Sequence, residues 1–127
     1  MTPPLRYINT ERLGDVTCVS LKKQRLTELE VLQLSDEVVG LIDGGCHKVV
    51  FSLGAGALQC LYSVFLAKLV MFQRLLRERG GALKLCDATP DVREVFQACR
   101  LDDLFDFAPD RNAAAAAFAS SSGSAQS

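Results

Sequence analysis

The hydroxyl group of Ser63 is the side chain in this sequence that is best placed to take part in chemistry. An apolar run at 49–53 is followed by small residues at 54–57, and after Ser63 the apolar residues recur at helical spacing. A helix beginning near Ser63 would surround this hydroxyl with unpaired N–H groups and the positive end of a helix dipole. A phosphoryl group there, with about −1.5 to −2 charges at neutral pH, would be tolerated by the domain itself. Ser63 is therefore either a modification site or only the cap of the helix, as serine often is.

Other residues of catalytic type are poorly arranged for catalysis. His47 is the one histidine and follows Cys46, but neighbours on a strand point to opposite faces of the sheet. The glycines within 54–56 follow a strand, as in a dinucleotide-binding loop, yet Gln59 stands where the third glycine is required. The acidic residues within 102–110 lack the spacing of a calcium loop. We predict no catalytic residue, no metal site and no cofactor; a small nucleotide-binding α/β protein remains one alternative.

Composition restricts the class of protein further. A chain of 127 residues suits one domain, and a net charge of −1 provides no basic field for nucleic acid or an anionic membrane. Five cysteines without a C-x-x-C pair favour neither a disulfide framework nor a zinc site, and they suit a reducing compartment. The apolar stretch 51–70 contains several polar residues and Lys68, which disfavours a membrane span. With no apolar signal core at the N-terminus, we expect a cytoplasmic protein that binds neither nucleic acid nor membranes.

The elements that would position Ser63 follow from hydrophobic periodicity and turn signals. Strands over 5–13 and 16–21 are predicted to form a hairpin. The sequence Thr27-Glu28-Leu29-Glu30 matches a capping box at the start of a helix that ends near 44–45. The later elements are predicted as a strand at 49–53, a helix from Ser63 to 79, a strand at 82–86 and a helix from Pro90 to 99. Residues 101–107 are expected to close the core as either an irregular turn or a last short strand.

This order of elements predicts an α/β fold in a single domain over residues 1–111. Its two β-α-β units imply right-handed crossovers and a partly parallel sheet. We expect a mixed β-sheet with helices packed mainly on one face. From 112 onward the chain is a run of alanines followed by a Ser-rich run, with almost nothing to bury, so 112–127 is predicted to be a disordered tail.

Several segments, taken together in their order and spacing, carry a resemblance to a known family. The segments are Val49–Leu53, Leu66–Leu69, Arg77–Gly81, Leu83–Cys86, Pro90–Phe96 and Leu101–Phe105. Through them, residues 5–107 resemble a STAS domain, the fold of bacterial anti-sigma factor antagonists. The resemblance implies the same mixed sheet and helices that the periodicity predicts.

The resemblance also implies a phosphorylation site. Family members carry Asp-Ser-Ser/Thr-Gly-Leu-Gly at the start of the second helix, and a partner kinase phosphorylates the first serine. Aligning the helices places Ser63 at that serine, whereas counting from the preceding strand places Leu61 there. The motif is degenerate in this chain, since Tyr62, Val64 and Phe65 replace the aspartate, the second hydroxyl residue and the first glycine.

A regulatory protein-binding module, and not an enzyme, is the function that the resemblance implies. The protein would dock on an anti-sigma factor that is also a serine-protein kinase, and phosphate on Ser63 would weaken this docking. A STAS scaffold without phosphorylation, in a signalling assembly, is the alternative. The partner-binding residues would lie at one end of the domain: Lys23, Arg25, Leu26, Thr27, Leu61, Tyr62, Ser63, Val64 and Phe65. For Phe65, a place in the core is the alternative.

Overall fold

The computed structural model of the chain describes residues 6–22, 26–53 and 63–124. Within these residues it contains five strands and four helices, and it confirms the predicted α/β fold. No helix in this described part is long and apolar enough to cross a membrane. The elements in chain order are β1 (Ile8–Leu13), β2 (Val16–Leu21), α1 (Glu28–Asp43), β3 (Lys48–Ser52), α2 (Ser63–Glu78), β4 (Ala82–Cys86), α3 (Pro90–Ala98), β5 (Asp106–Ala108) and α4 (Arg111–Ser124).

The strands form one mixed sheet in the order β1-β2-β3-β4-β5. β1 and β2 are antiparallel and meet at the turn Gly14-Asp15, as the hairpin prediction requires. From β2 to β5 the strands are parallel, so that Thr17 lies opposite Val49 and Val49 lies opposite Leu83. Because β2, β3 and β4 are each followed by a helix, α1, α2 and α3 all begin at the edge where these strands end. We call this the carboxyl edge of the sheet.

α1, α2 and α3 cover one face of the sheet and enclose the main core, which confirms that the helices pack mainly on one face. The capping box of α1 is present: the Thr27 hydroxyl accepts from the Glu30 N–H at 3.1 Å, and the Thr27 N–H donates to Glu30 Oε1 at 3.0 Å. Thr89 caps α3 in the predicted way, ahead of Pro90. Fully buried side chains of this core include Ile8, Val19, Val31, Leu34, Ile42, Phe51, Phe65, Leu69, Phe72, Leu76, Leu83, Leu85, Val92 and Phe96.

The second face of the sheet is covered by α4, which differs from the disordered tail predicted for 112–127. Ala114 is fully buried and Phe118 is buried, and the ring of Phe118 lies 5.0 Å from Nζ of Lys84. Alternate residues of a strand face opposite sides of a sheet, and four of those on this side are buried and apolar. The alanine run therefore has an apolar surface to pack on, and the helix that alanine favours is stabilised there. The sheet residues that Ala114 and Phe118 join in this second cluster are Val16, Cys18, Val50 and Cys86.

Candidate functional site

The carboxyl edge of the sheet brings together the N-termini of three helices. α1 begins at Glu28, α2 at Ser63 and α3 at Pro90. Unpaired backbone N–H groups and positive dipole ends therefore converge on this edge, which favours negative charge. α1 and α3 already place acidic residues in their first turns, whereas the first turn of α2 contains none. Of these three, the start of α2 is thus the one whose dipole is not compensated by carboxylates of its own first turn.

Ser63 is the first residue of α2, at the position where the sequence predicts this helix to begin. Its side chain lies outside the described part of the structure, and so do Leu61 and Tyr62. Val64, the next residue, is half-buried and packs against the main core. The backbone of the first turn of α2 is therefore tied to the core immediately after Ser63.

Two predicted partner-binding residues face the core and not the surface. Leu26 is 2% exposed and Phe65 is fully buried. The ring of Phe65 meets that of Phe51 edge to face, with centroids 6.0 Å apart. In α2, Phe65 shares a buried face with Leu69, four residues later, so helical periodicity turns it inward. Both side chains belong to the main core, so the prediction that they contact the partner is wrong.

The loop before α1 holds the remaining predicted residues. Lys23 and Arg25 lie outside the described residues. Thr27 is exposed, but its hydroxyl already accepts the N–H of Glu30 at the N-terminus of α1. Because α1 and α2 pack against each other and begin at the same edge, a partner at this end would meet both N-termini.

A contact between the ends of β3 and β4 was not predicted from the sequence. The Ser52 hydroxyl donates to Oδ2 of Asp87 at 2.6 Å, and the Cys86 thiol donates to the same oxygen at 3.3 Å. Burial, together with the hydrogen bond to Asp87, raises the pKa of the Cys86 thiol to about 12. The thiol therefore stays protonated near neutral pH, and a protonated thiol is a poor nucleophile. Ser52 and Asp87 each stand at the end of a parallel strand, and that position was the signal that could have placed them together.

The other residues of catalytic type are dispersed. His47 precedes β3 at the opposite edge of the sheet, where its carbonyl oxygen accepts the N–H of Ala82 at 3.0 Å. Cys99 is the C-cap of α3 and is exposed. Within residues 6–22, 26–53 and 63–124, no group of three His, Cys, Asp or Glu side chains is arranged to hold a metal ion.

Known proteins resemble this chain in sequence and in fold. No protein-family model matches it. Over 86 residues it is 38% identical to BtrV of Bordetella bronchiseptica, a protein named for anti-sigma factor antagonism, and the match covers 68% of this chain and 72% of that protein. The structure of an anti-sigma-factor antagonist (STAS) domain protein from Planctomyces limnophilus superposes with a TM-score of 0.76 and 27% identity, covering 88% of this chain and 97% of that one. SpoIIAA, a Bacillus cell fate determinant solved in its phosphorylated form, shares the fold, with a TM-score of 0.58 and 17% identity over 81% of this chain and 92% of that one.

Proposed function

Because this chain belongs to the STAS-domain family of anti-sigma factor antagonists, we propose that it binds an anti-sigma factor of the serine-kinase type and so releases a sigma factor. Members of this family are regulatory binding proteins. The observation that supports the proposal most directly is the 38% identity to BtrV over 86 residues. The anti-sigma factor would dock at the carboxyl edge, where three helix N-termini converge.

The docking surface would include the exposed Thr27, the start of α2 at Ser63 and the half-buried Val64. The sequence adds Lys23, Arg25, Leu61 and Tyr62, which flank these positions in the chain. Apolar side chains beside polar ones suit a protein interface, whose centre is apolar and whose rim is polar.

Phosphorylation of Ser63 by the anti-sigma factor would control this docking. The uncompensated N-terminus of α2 supports this proposal, since a phosphate there would be stabilised by the helix dipole and by backbone N–H groups. In the complex, the same phosphate would bring charge and a desolvation cost to the interface. The modification would thus weaken binding without unfolding the domain.

Substitutions at Ser63 test the switch. Calorimetry with the purified anti-sigma factor should give an affinity for Ser63→Ala close to that of the wild type, and for Ser63→Asp a loss of about tenfold or more. Gln97→Glu, which adds one negative charge to the exposed side of α3, should leave the affinity unchanged. The melting temperatures of all variants should agree closely, because the start of a helix accepts an acidic side chain.

Intact-mass measurement after incubation with ATP and the anti-sigma factor tests the modification itself. A mass gain of one phosphoryl group that is absent from Ser63→Ala is the expected result. Equal affinities of Ser63→Ala and Ser63→Asp would reject the phosphorylation switch. The proposal that the chain binds the anti-sigma factor would then still hold. Binding without any mass gain would favour the alternative, a STAS scaffold that acts without phosphorylation.

A further inference from the structure

The side of α1 that faces away from the sheet exposes large apolar residues. Leu29 is 64% exposed and Leu32 is 41% exposed, and they are the exposed large hydrophobic residues among those that the structure describes. Spacings of 3, 4 and 4 residues place Leu29, Leu32, Asp36 and Gly40 along one stripe, opposite the buried face of α1. We call these four residues the outer face of α1. Two adjacent exposed leucines on one helix are typical of a surface that another protein covers.

Gly40 is unexpected in the fourth turn of this helix. Glycine destabilises a helix interior relative to nearly every residue other than proline. Nothing within the fold requires it, because a Cβ at Gly40 would meet no atom within 4 Å and the backbone has no positive φ. A glycine on an exposed helix face does, however, allow another backbone to approach closely.

The charges of α1 indicate which kind of protein segment would bind to its outer face. The helix carries five carboxylates and no lysine or arginine. Three are engaged: Glu30 in the capping box, Glu37 with the N–H groups of residues 6 and 7, and Asp43 with Arg79 at 2.6 Å. Glu28 borders the outer face and Asp36 lies within it, and neither has an ion-pair or hydrogen-bond partner in the described part of the chain. A second copy of this helix would bring like charges together, whereas a basic segment would complement them.

We propose that the outer face of α1 docks an amphipathic helix whose apolar stripe is bordered by lysine or arginine, contributed by the anti-sigma factor. Leu29 and Leu32 are its apolar anchors, Gly40 permits the close approach of the two helix backbones, and Glu28 and Asp36 pair with the basic residues. The inference rests on the proposed function and extends it, because α1 begins at the same carboxyl edge as α2 and the exposed Leu29 follows the exposed Thr27 of the proposed docking surface by two residues.

Gly40→Gln tests this inference, since it should block docking while it favours the helix. Calorimetry with the purified anti-sigma factor should show an affinity about tenfold weaker than that of the wild type, and a similar loss for Leu29→Gln combined with Leu32→Gln. The melting temperature of Gly40→Gln should equal or exceed that of the wild type, because glutamine is a better helix former. Ala98→Gln, which enlarges an exposed side chain at the end of α3, is the matched control and should bind within about twofold of the wild type.

Asp36→Lys should also weaken binding, and it should reduce the dependence of the affinity on salt. Wild-type affinity in both Gly40→Gln and the double leucine variant would overturn the inference while the proposed function stands. Failure of the wild-type chain to bind the anti-sigma factor at all would remove both. A dimer detected by light scattering that Gly40→Gln abolishes would assign this face to a second copy of the chain, and would equally overturn the inference.

Discussion

Gln73 is a polar residue on the buried side of α2 that connects three elements. Its side-chain Nε2 donates to the carbonyl oxygen of Leu104 at 3.0 Å, and its Oε1 accepts the N–H of Leu83 at 2.8 Å. β5 pairs with β4 only from Lys84 onward, so the start of β4 lacks a neighbouring strand on that side. Gln73, at 4% exposed, supplies the acceptor that such a strand would have offered. A single side chain thus ties α2 to β4 and to the turn before β5.

Gln73→Leu should lower the free energy of unfolding by about 2 to 4 kcal/mol, because it leaves the N–H of Leu83 and the carbonyl of Leu104 without partners. Urea denaturation followed by circular dichroism measures this change. Arg74→Leu, at the exposed neighbouring position, is the control and should change stability by about 0.5 kcal/mol or less. A loss in Gln73→Leu no larger than that of the control would show that water satisfies both groups.

At the scale of elements, the turn from α2 into β4 depends on two glycines for different reasons. Gly80 adopts φ of 79° in open space. Gly81 has no such φ, but a Cβ there would lie 1.8 Å from the carbonyl oxygen of His47. The close approach arises because Ala82, the next residue, donates its N–H to that same oxygen at 3.0 Å, at the start of the β3–β4 pairing. Gly80 is therefore needed for its left-handed backbone conformation, and Gly81 is needed because β3 packs too closely for a side chain.

Gly81→Ala should destabilise the protein by about 3 kcal/mol or more, because the backbone of β3 has to move away from the new methyl group. Gly80→Ala should cost about 1 to 2 kcal/mol, the penalty of a left-handed conformation for a residue with a Cβ. Melting temperatures of the two variants, measured side by side, check that Gly81→Ala is the more destabilising substitution. A larger loss in Gly80→Ala than in Gly81→Ala would contradict this account of the turn.

At the scale of the whole molecule, the sheet separates two hydrophobic clusters that are covered by different helices. The main core is enclosed by α1, α2 and α3, while the second cluster depends on α4. α4 is held by Phe118 and Ala114, with an ion pair of 2.6 Å between Arg111 and Glu11 of β1. Exposed ion pairs of this kind contribute little, so the apolar contacts account for most of the attachment. Removal of α4 should therefore uncover one face of the sheet and leave the main core in place.

A chain ending at Pro109 should unfold cooperatively with a stability reduced by about 3 kcal/mol, the scale for loss of a buried aromatic ring. Its Cys86 should be alkylated by iodoacetamide at about pH 8, whereas Cys86 of the full chain should react slowly because it is buried and protonated. Cys99 is exposed and should react in both chains, which provides the control in peptide mass mapping. Continued protection of Cys86 in the shortened chain would show that α4 does not cover it.

The raised pKa of the Cys86 thiol predicts that the stability of the folded protein depends on pH. The pKa of Cys86 in the folded protein, about 12, exceeds its ordinary value of 9.0 because of burial. Its contribution to stability is therefore complete below pH 9.0 and is lost as pH rises toward about 12. Urea denaturation across this range should show a steeper decline in the full chain than in the chain ending at Pro109.

The sequence by itself determined the elements from β1 to α3 and their order, because the signals that set them act over a few residues. The capping box at Thr27, the Thr89-Pro90 start of α3 and the change of apolar period around Ser63 are all local, and each lies where the structure begins a helix. They were enough to predict the α/β fold and the start of α2 near Ser63.

Only the tertiary structure decided which side chains meet. Ser52 and Asp87 are far apart in the chain and come together because β3 and β4 pair in one register. Phe65, predicted at the contact surface, turns inward because the sheet beneath α2 presents Phe51 to it. The alanine-rich segment becomes α4 because it finds an apolar sheet face, contributed by three strands, on which Phe118 is buried. The partner that each of these side chains meets is distant in sequence, and no local pattern specifies it.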